Sequence, residues 1–305
     1  MASSRTRAIR AAADTADPLV AKNAILCNDL TLRFLEGDYQ AREFATGDEG
    51  AQIEELYNKH SGAQFMLEAA GGGAADTPPK YADLLKACGL TETIVDATSV
   101  SYSPTPMGAA KAEARLELRS GVATSVVRKA RGALTFTAET NRKPMIGFNI
   151  LGEYQGPTDG VLNGLDFTGW RKALECSPAN MNAFTFNGTT LCVRSFTFTD
   201  GRTPRLGRFM NCDGTDITHR RFTGRMTIEW PDRSTMDLIA LCAAASTHAF
   251  VWQLGSVAGD IVRVAAPAVQ IKFAGEQDID GTMGANLDLV FTPVSGDDEI
   301  ALIFK

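Results

Sequence analysis

The chain has 305 residues with 36 acidic against 30 basic side chains, a formal net charge of −6, and is 44% apolar and 22% charged. That balance excludes a disordered or fibrous protein and argues against one that grips nucleic acid, because phosphate binding needs a basic surface. On length alone it suggests two domains of roughly 150 residues, and no apolar run reaches the roughly 18 residues of a membrane span. Six cysteines (Cys27, Cys88, Cys176, Cys192, Cys212, Cys242) form no CxxC pair and the three histidines complete no zinc pattern. They are expected as free, mostly buried thiols of a protein assembled in a reducing cytoplasm.

In chain order, Met1 to Arg10 is basic but lacks the apolar core of a signal peptide, so residues 1–26 read as a flexible arm rather than an organellar presequence. Period-two alternation then takes over: Leu30, Leu32, Phe34; Leu116, Leu118; Leu134, Phe136; Ile146, Phe148, Ile150. Thr77 is a plausible N-cap with Pro78 at the first helical position, and Tyr81, Leu84, Leu85 and Cys88 make a helical stripe closed by Gly89. A stretch rich in turn formers, 156–180, reads as an interdomain connection. Beyond it the alternation resumes with Met226, Ile228, Trp230; Val269, Ile271, Phe273; and Leu287, Leu289, Phe291. A second helix is expected after Ser234, with Asp237 three residues on and Leu238, Ile239 and Cys242 as its stripe. Leu85 and Ile239 are both expected to be buried.

The halves invite comparison with each other. An offset of 154 superimposes Leu84, Leu85 and Cys88 on Leu238, Ile239 and Cys242, and an offset of 161 sets Phe65 and Leu67 on Met226 and Ile228. Offsets of 135 and 141 do the same for Leu134, Phe136 with Val269, Ile271 and for Ile146, Phe148, Ile150 with Leu287, Leu289, Phe291. The reading is a mainly β protein of two tandem β-sandwich or barrel domains, 27–155 and 181–305, each with one short α-helix.

No catalytic constellation emerges: there is no Walker loop, GxSxG, HExxH or GxGxxG after a strand. No catalytic, cofactor-binding or metal-binding residue is assigned. Gly71-Gly72-Gly73 reads as a flexible loop, and Asp278-Ile-Asp280-Gly281 as a polar hairpin turn rather than a calcium loop. Two long polar segments interrupt strong strands at equivalent places in the halves. Residues 36–59 carry seven acidic and two basic residues, and residues 200–225 carry six basic and three acidic. They are either solvated loops or interaction surfaces.

Several passages resemble the tail tube proteins of long-tailed (siphophage-type) bacteriophages. Thr77-Pro-Pro-Lys-Tyr-Ala-Asp-Leu-Leu-Lys-Ala-Cys-Gly89 is similar to that family's Pro-containing loop and helix of pattern aromatic, x, x, Leu-Leu, x, Ala-Cys-Gly. Val100-Ser-Tyr-Ser-Pro104 looks like its strand ending in Tyr-x-Pro, and Arg131-Gly132 with Leu134 and Phe136 like its Arg-Gly strand. Phe148 to Pro157, and Arg220, Gly224 and Ile228-Glu-Trp-Pro231, follow in family order. The similarity runs from about residue 25 to 295; the basic start and the tail Ser295 to Lys305 lie outside the pattern.

The resemblance implies a structural virion protein, not an enzyme and not a membrane protein. It implies tail-tube-type domains whose inner strands join into a continuous β-barrel in stacked rings, assembled in the host cytoplasm. The tube is a conduit through which genomic DNA passes without specific binding, alongside tape-measure, tail-terminator and distal tail proteins. With two domains per chain, a trimeric ring of pseudo-sixfold symmetry is expected over a hexamer. The charged segments would then meet between neighbours, through Arg42, Asp48, Glu49, Glu54 and Glu55 on one side and Arg202, Arg205, Arg208, Arg220 and Arg221 on the other. The rival reading is a secreted or periplasmic β-sandwich that binds a ligand such as carbohydrate on an aromatic face.

Overall fold

A computed structural model describes residues 6–16, 18–45, 50–121, 123–159 and 164–305, the side chains at 159, 208, 209, 212 and 213 excepted. The first half contributes β1 (Arg7–Ala13), β2 (Asn28–Ala41), β3 (Glu54–Glu68), α1 (Ala82–Ala87), β4 (Leu90–Val95), β5 (Ser99–Pro104), β6 (Ala114–Ser120), β7 (Ala123–Glu139) and β8 (Met145–Asp159). The second contributes β9 (Met181–Phe186), β10 (Thr189–Thr190), β11 (Val193–Thr199), β12 (Thr203–Phe209), β13 (Cys212–Thr218), β14 (Thr223–Glu229), α2 (Leu238–Ala244), β15 (Thr247–Leu254), β16 (Val262–Ile279), β17 (Thr282–Phe291) and β18 (Ala301–Phe304). The protein is mainly β, and its pairings are antiparallel.

Sixteen strands share one sheet, and β12–β13 form a separate ribbon. In the first half the pairing path is β1-β6-β7-β8-β3-β2, and in the second it is β9-β15-β16-β17-β14-β11. The two paths visit their strands in the same order. They also share an irregularity: the ladder slips between Ala114 and Leu116 opposite Ala130 and Val127, and between His248 and Phe250 opposite Val269 and Ala266. Counted along the ladders, Val127 corresponds to Ala266, Phe148 to Leu287 and Phe65 to Met226. The offset of 161 therefore stands for β3 and β14. The offsets of 135 and 141 do not: both strand pairs correspond at 139. A slip of two or four residues leaves a period-two pattern unchanged, so alternation alone could not detect it.

The halves are joined edge to edge. β11 lies along β7 with Phe196 opposite Ala138 and Phe198 opposite Phe136, and one apolar core runs through both halves. Phe136 packs against Phe198 at 5.2 Å and edge-on to Trp252 at 5.2 Å. β18 lies between β16 and β5, and Phe304 meets Tyr102 and Tyr81 edge-on at 5.8 and 6.0 Å. The segment expected as a connection is tied down by Trp170, whose Nε1 donates to the Ala24 carbonyl at 3.1 Å while its ring stacks on Tyr81.

Several expectations need correction. Residues 7–13 are not a flexible arm but strand β1, with Ile9 fully buried opposite Leu118; alanine-rich sequence has weak β-propensity, and pairing with β6 overrides it. α1 starts at Ala82 with Tyr81 at its N-cap, four residues later than Thr77 suggested, because Pro78 and Pro79 sit in the preceding turn. Asp237, not Ser234, caps α2, accepting from the Ala240 N–H at 3.0 Å. The two polar segments are largely hairpins: β2 and β3 pair as far as Ala41 and Glu54, and β12 pairs with β13 along its length. The triglycine is no loose loop, since a Cβ at Gly71 would run into the Gly259 carbonyl oxygen. Cys192 is exposed rather than buried. The turn at Asp280-Gly281 does close the β16–β17 hairpin, with the Gly281 N–H donating to Asp278 at 2.7 Å.

Leu85 is fully buried, whereas Ile239 is 48% exposed. Leu85→Ala should therefore lower the stability of the unassembled chain by roughly 2–5 kcal/mol. Ile239→Ala should change it by no more than about 0.5 kcal/mol. Urea unfolding of the two variants checks the contrast, and equal losses would contradict the packing described.

Candidate assembly interface

The seam between β7 and β11 is one of two strand pairings that join the halves, the other being β18 with β5, and one carboxylate finishes it. Alternating Phe196 and Phe198 put apolar side chains on the core side, after which β11 ends at Thr199. Asp200 then closes the ladder by donating its N–H to the Leu134 carbonyl at 3.3 Å and accepting the Leu134 N–H on Oδ2 at 3.1 Å. Its Oδ1 accepts the Arg202 N–H at 3.1 Å. The Arg202 guanidinium turns inward and donates to the Cys88 carbonyl at the end of α1. Gly89 follows there at φ 73°, where a Cβ would overlap both Arg202 and Ile217. Glycine is thus demanded twice, by the left-handed conformation that ends the helix and by the close approach. Asp200 is fully buried, and burial pushes its carboxyl up to about 6 against the opposing pull of these hydrogen bonds and of Arg202.

The outer face of the sheet differs chemically from the core face. Across the adjacent strands β2, β3, β8, β7, β11, β14, β17 and β16 it presents mostly hydroxyls and amides. Thr137 lies opposite Thr197 and Thr135 opposite Thr199, with Thr223 on the next strand. Gln64 and Asn149 face each other, and Thr227 donates to Asn286 at 2.7 Å. Two cations on this face share one acid: Arg225 meets Asp288 at 2.9 Å, and Lys272 sits opposite Asp288 in the ladder.

The charged residues expected at subunit contacts divide into four groups. Asp48 and Glu49 lie outside the described residues, as does the side chain of Arg208, whose backbone belongs to β12. Arg202 and Arg220 are engaged inside the chain: Arg220 donates to Asp297 at 2.5 Å, to Glu299 at 3.0 Å and to the Thr105 carbonyl at 3.0 Å. Arg42 and Glu55 pair with each other across the β2–β3 hairpin at 2.9 Å. The Tyr57 hydroxyl, then Arg42, hold the Glu55 carboxyl below its ordinary range. Glu54, Arg205 and Arg221 remain exposed. Sequence reasoning counted Asp200 only as a loop charge. The available signal was a lone acid ending a strongly apolar strand, which reads equally well as a turn residue.

Tyr39, Phe44 and Tyr57 are exposed along the β2–β3 hairpin, while most other aromatic side chains turn inward. Phe184, Phe196, Phe250 and Trp252 are buried against one another. Among the described residues no three His, Cys, Asp or Glu side chains come together in a way that would hold a metal. No helix among them is long and apolar enough to cross a membrane. No protein family matches the chain in a comparison with family profiles, and no curated protein matches it.

Asp200 gives the seam a pH dependence of defined sign. Its folded value lies above its ordinary 3.8, so folding favours the protonated form. That contribution is fully present below about 3.8 and is lost as pH rises through about 6. Wild type compared with Asp200→Asn should accordingly gain about 2 kcal/mol of relative stability on going from pH 7.5 to pH 4.5. Urea titrations of both proteins at the two pH values measure this, and a constant difference would show that Asp200 is not the titrating group.

Proposed function

We propose that this chain is a structural, non-enzymatic virion subunit that polymerises into stacked rings forming the tail tube of a long-tailed bacteriophage. The observation that carries the reading is the strand order, which occurs twice in the chain with the two occurrences joined edge to edge. A chain built this way already contains, between its own halves, the contact by which like units extend a sheet. On this reading the halves are tandem tail-tube-type domains, 27–155 together with β1 and 181–305, and three chains close one ring of pseudo-sixfold symmetry.

The ordered motifs that resemble the tail tube family lie at the joints of this architecture. The Ala-Cys-Gly89 passage ends α1 against the seam, Tyr102 and Pro104 lie on the strand that receives β18, and Gly224 packs on the Thr197 carbonyl of β11. The eight-strand outer face, rich in threonine and amide, suits the wall of a channel through which DNA and a tape-measure protein slide. Tail-terminator and distal tail proteins would cap the two ends of such a tube.

Electron microscopy of the purified protein tests the proposal. Tubes or rings with threefold symmetry at side-chain resolution are expected. Dispersed particles across a wide range of concentration and salt would overturn it, and true sixfold rings of complete chains would overturn the two-domain stoichiometry.

A further inference from the structure

The repeated strand order leaves two edges unmatched, and they are counterparts of the seam. β7 has β8 along one side; along the other it has β6 and then β11. Its counterpart β16 has β15 in the place of β6, but from Ile271 to Ile279 only β17 pairs with it among the described residues. Likewise β2, the counterpart of β11, pairs among the described residues only with β3. Each edge presents a row of backbone donors and acceptors, the template on which another strand adds.

The side chains beside these edges are also incompletely covered. Leu30, Leu32 and Phe34 of β2 are only partly buried against the core. Phe273 is 39% exposed at the point where β16 becomes open, and Trp230 packs edge-on to it at 5.4 Å. Trp230 and Ile239 line a common surface hollow. In the first half, by contrast, the end of α1 is covered by Arg202 and Ile217 from the segment that follows β11.

We infer that β2 of one chain pairs antiparallel with the open edge of β16 in a second copy, reproducing between chains the β7–β11 seam within the chain. The inference rests on the tube reading and specifies its contact. Register follows from the ladders. β11 corresponds to β2 with Phe196 at Leu30, because Phe196 is opposite Met226 just as Leu30 falls opposite Phe65. β7 corresponds to β16 with Leu134 at Phe273 and, past the irregularity between Phe273 and Gly275, Phe136 at Glu276. Transferring the seam puts Thr31 opposite Gln277, Leu32 opposite Glu276 and Phe34 beside Phe273. The Phe34 and Phe273 rings then cover each other on the core side, and the β2–β3 hairpin arrives over the hollow at Ile239. Because the two edges are different surfaces, the contact is head-to-tail, the kind that closes rings.

Thr31 and Gln277 are both exposed, so cysteines there should leave the fold intact. In a Cys192→Ser background, chains carrying Thr31→Cys are mixed with chains carrying Gln277→Cys under mild oxidation. Non-reducing gels should show a disulfide-linked dimer only in the mixture. The double variant should give a ladder ending in a closed covalent ring. Asp29→Cys mixed with Gln277→Cys lies two residues out of register, beyond the roughly 7 Å Cα separation a disulfide tolerates, and should link several-fold less. Equal or greater linking in that control, or none although microscopy shows tubes, overturns the register while leaving the tube reading standing. Absence of both cross-links and assemblies overturns the two together.

Discussion

The architecture depends on the requirement that backbone N–H and C=O groups at a strand edge find partners. In this chain the demand is met at its centre by β11 lying on β7, and most large features follow from that contact. It brings Phe196 and Phe198 beside Phe136, and through them Trp252, so two sets of strands share one core. The seam ends cleanly because Asp200 supplies the next acceptor from a side chain when the strand runs out. A buried carboxylate is an expensive way to finish a ladder unless several donors converge on it. Here Leu134, Arg202 and the end of α1 form one connected set, tying strand register, helix terminus and ribbon base into a single arrangement.

Much of this was legible in the sequence, and what was missed has identifiable physical reasons. Alternation located the strands and their faces, and the stripe of Tyr81, Leu84, Leu85 and Cys88 located α1 and its buried side. The same alternation was blind to register, which is why offsets of 135 and 141 looked acceptable where the ladders require 139. β1 was hidden because Arg-Ala-Ile-Arg-Ala-Ala-Ala has little strand character of its own and is held by β6. The charged segments looked like loops because their hairpins carry few apolar residues, with Ile217 a buried exception, and so lack the signature on which strand recognition relies. Side-chain role was the least legible: nothing in the spacing distinguishes the buried Arg202 and the internally paired Arg220 from the exposed Arg205 and Arg221.

Charge and hydroxyl chemistry are partitioned accordingly. The core face is aromatic and aliphatic, the outer face of the central strands is threonine and amide, and the dense charge sits at the hairpins and their bases. A sheet with one apolar and one mostly polar face can be extended sideways without creating a mismatch, since each added strand continues both surfaces. Charge carried on exposed hairpins is sensitive to ionic strength.

β18 has a consequence for timing. It pairs with β5 about two hundred residues earlier in the chain, Leu302 opposite Tyr102, and its Phe304 ring fills space beneath Tyr81 and Tyr102. During synthesis the first half therefore emerges from the ribosome with an unfilled slot, and closing it requires a contact of very high sequence separation, the slowest kind to form. Mature packing of the early strands has to wait for the late one. A nascent chain is in that sense held back from mature packing of its first half until β18 has been translated.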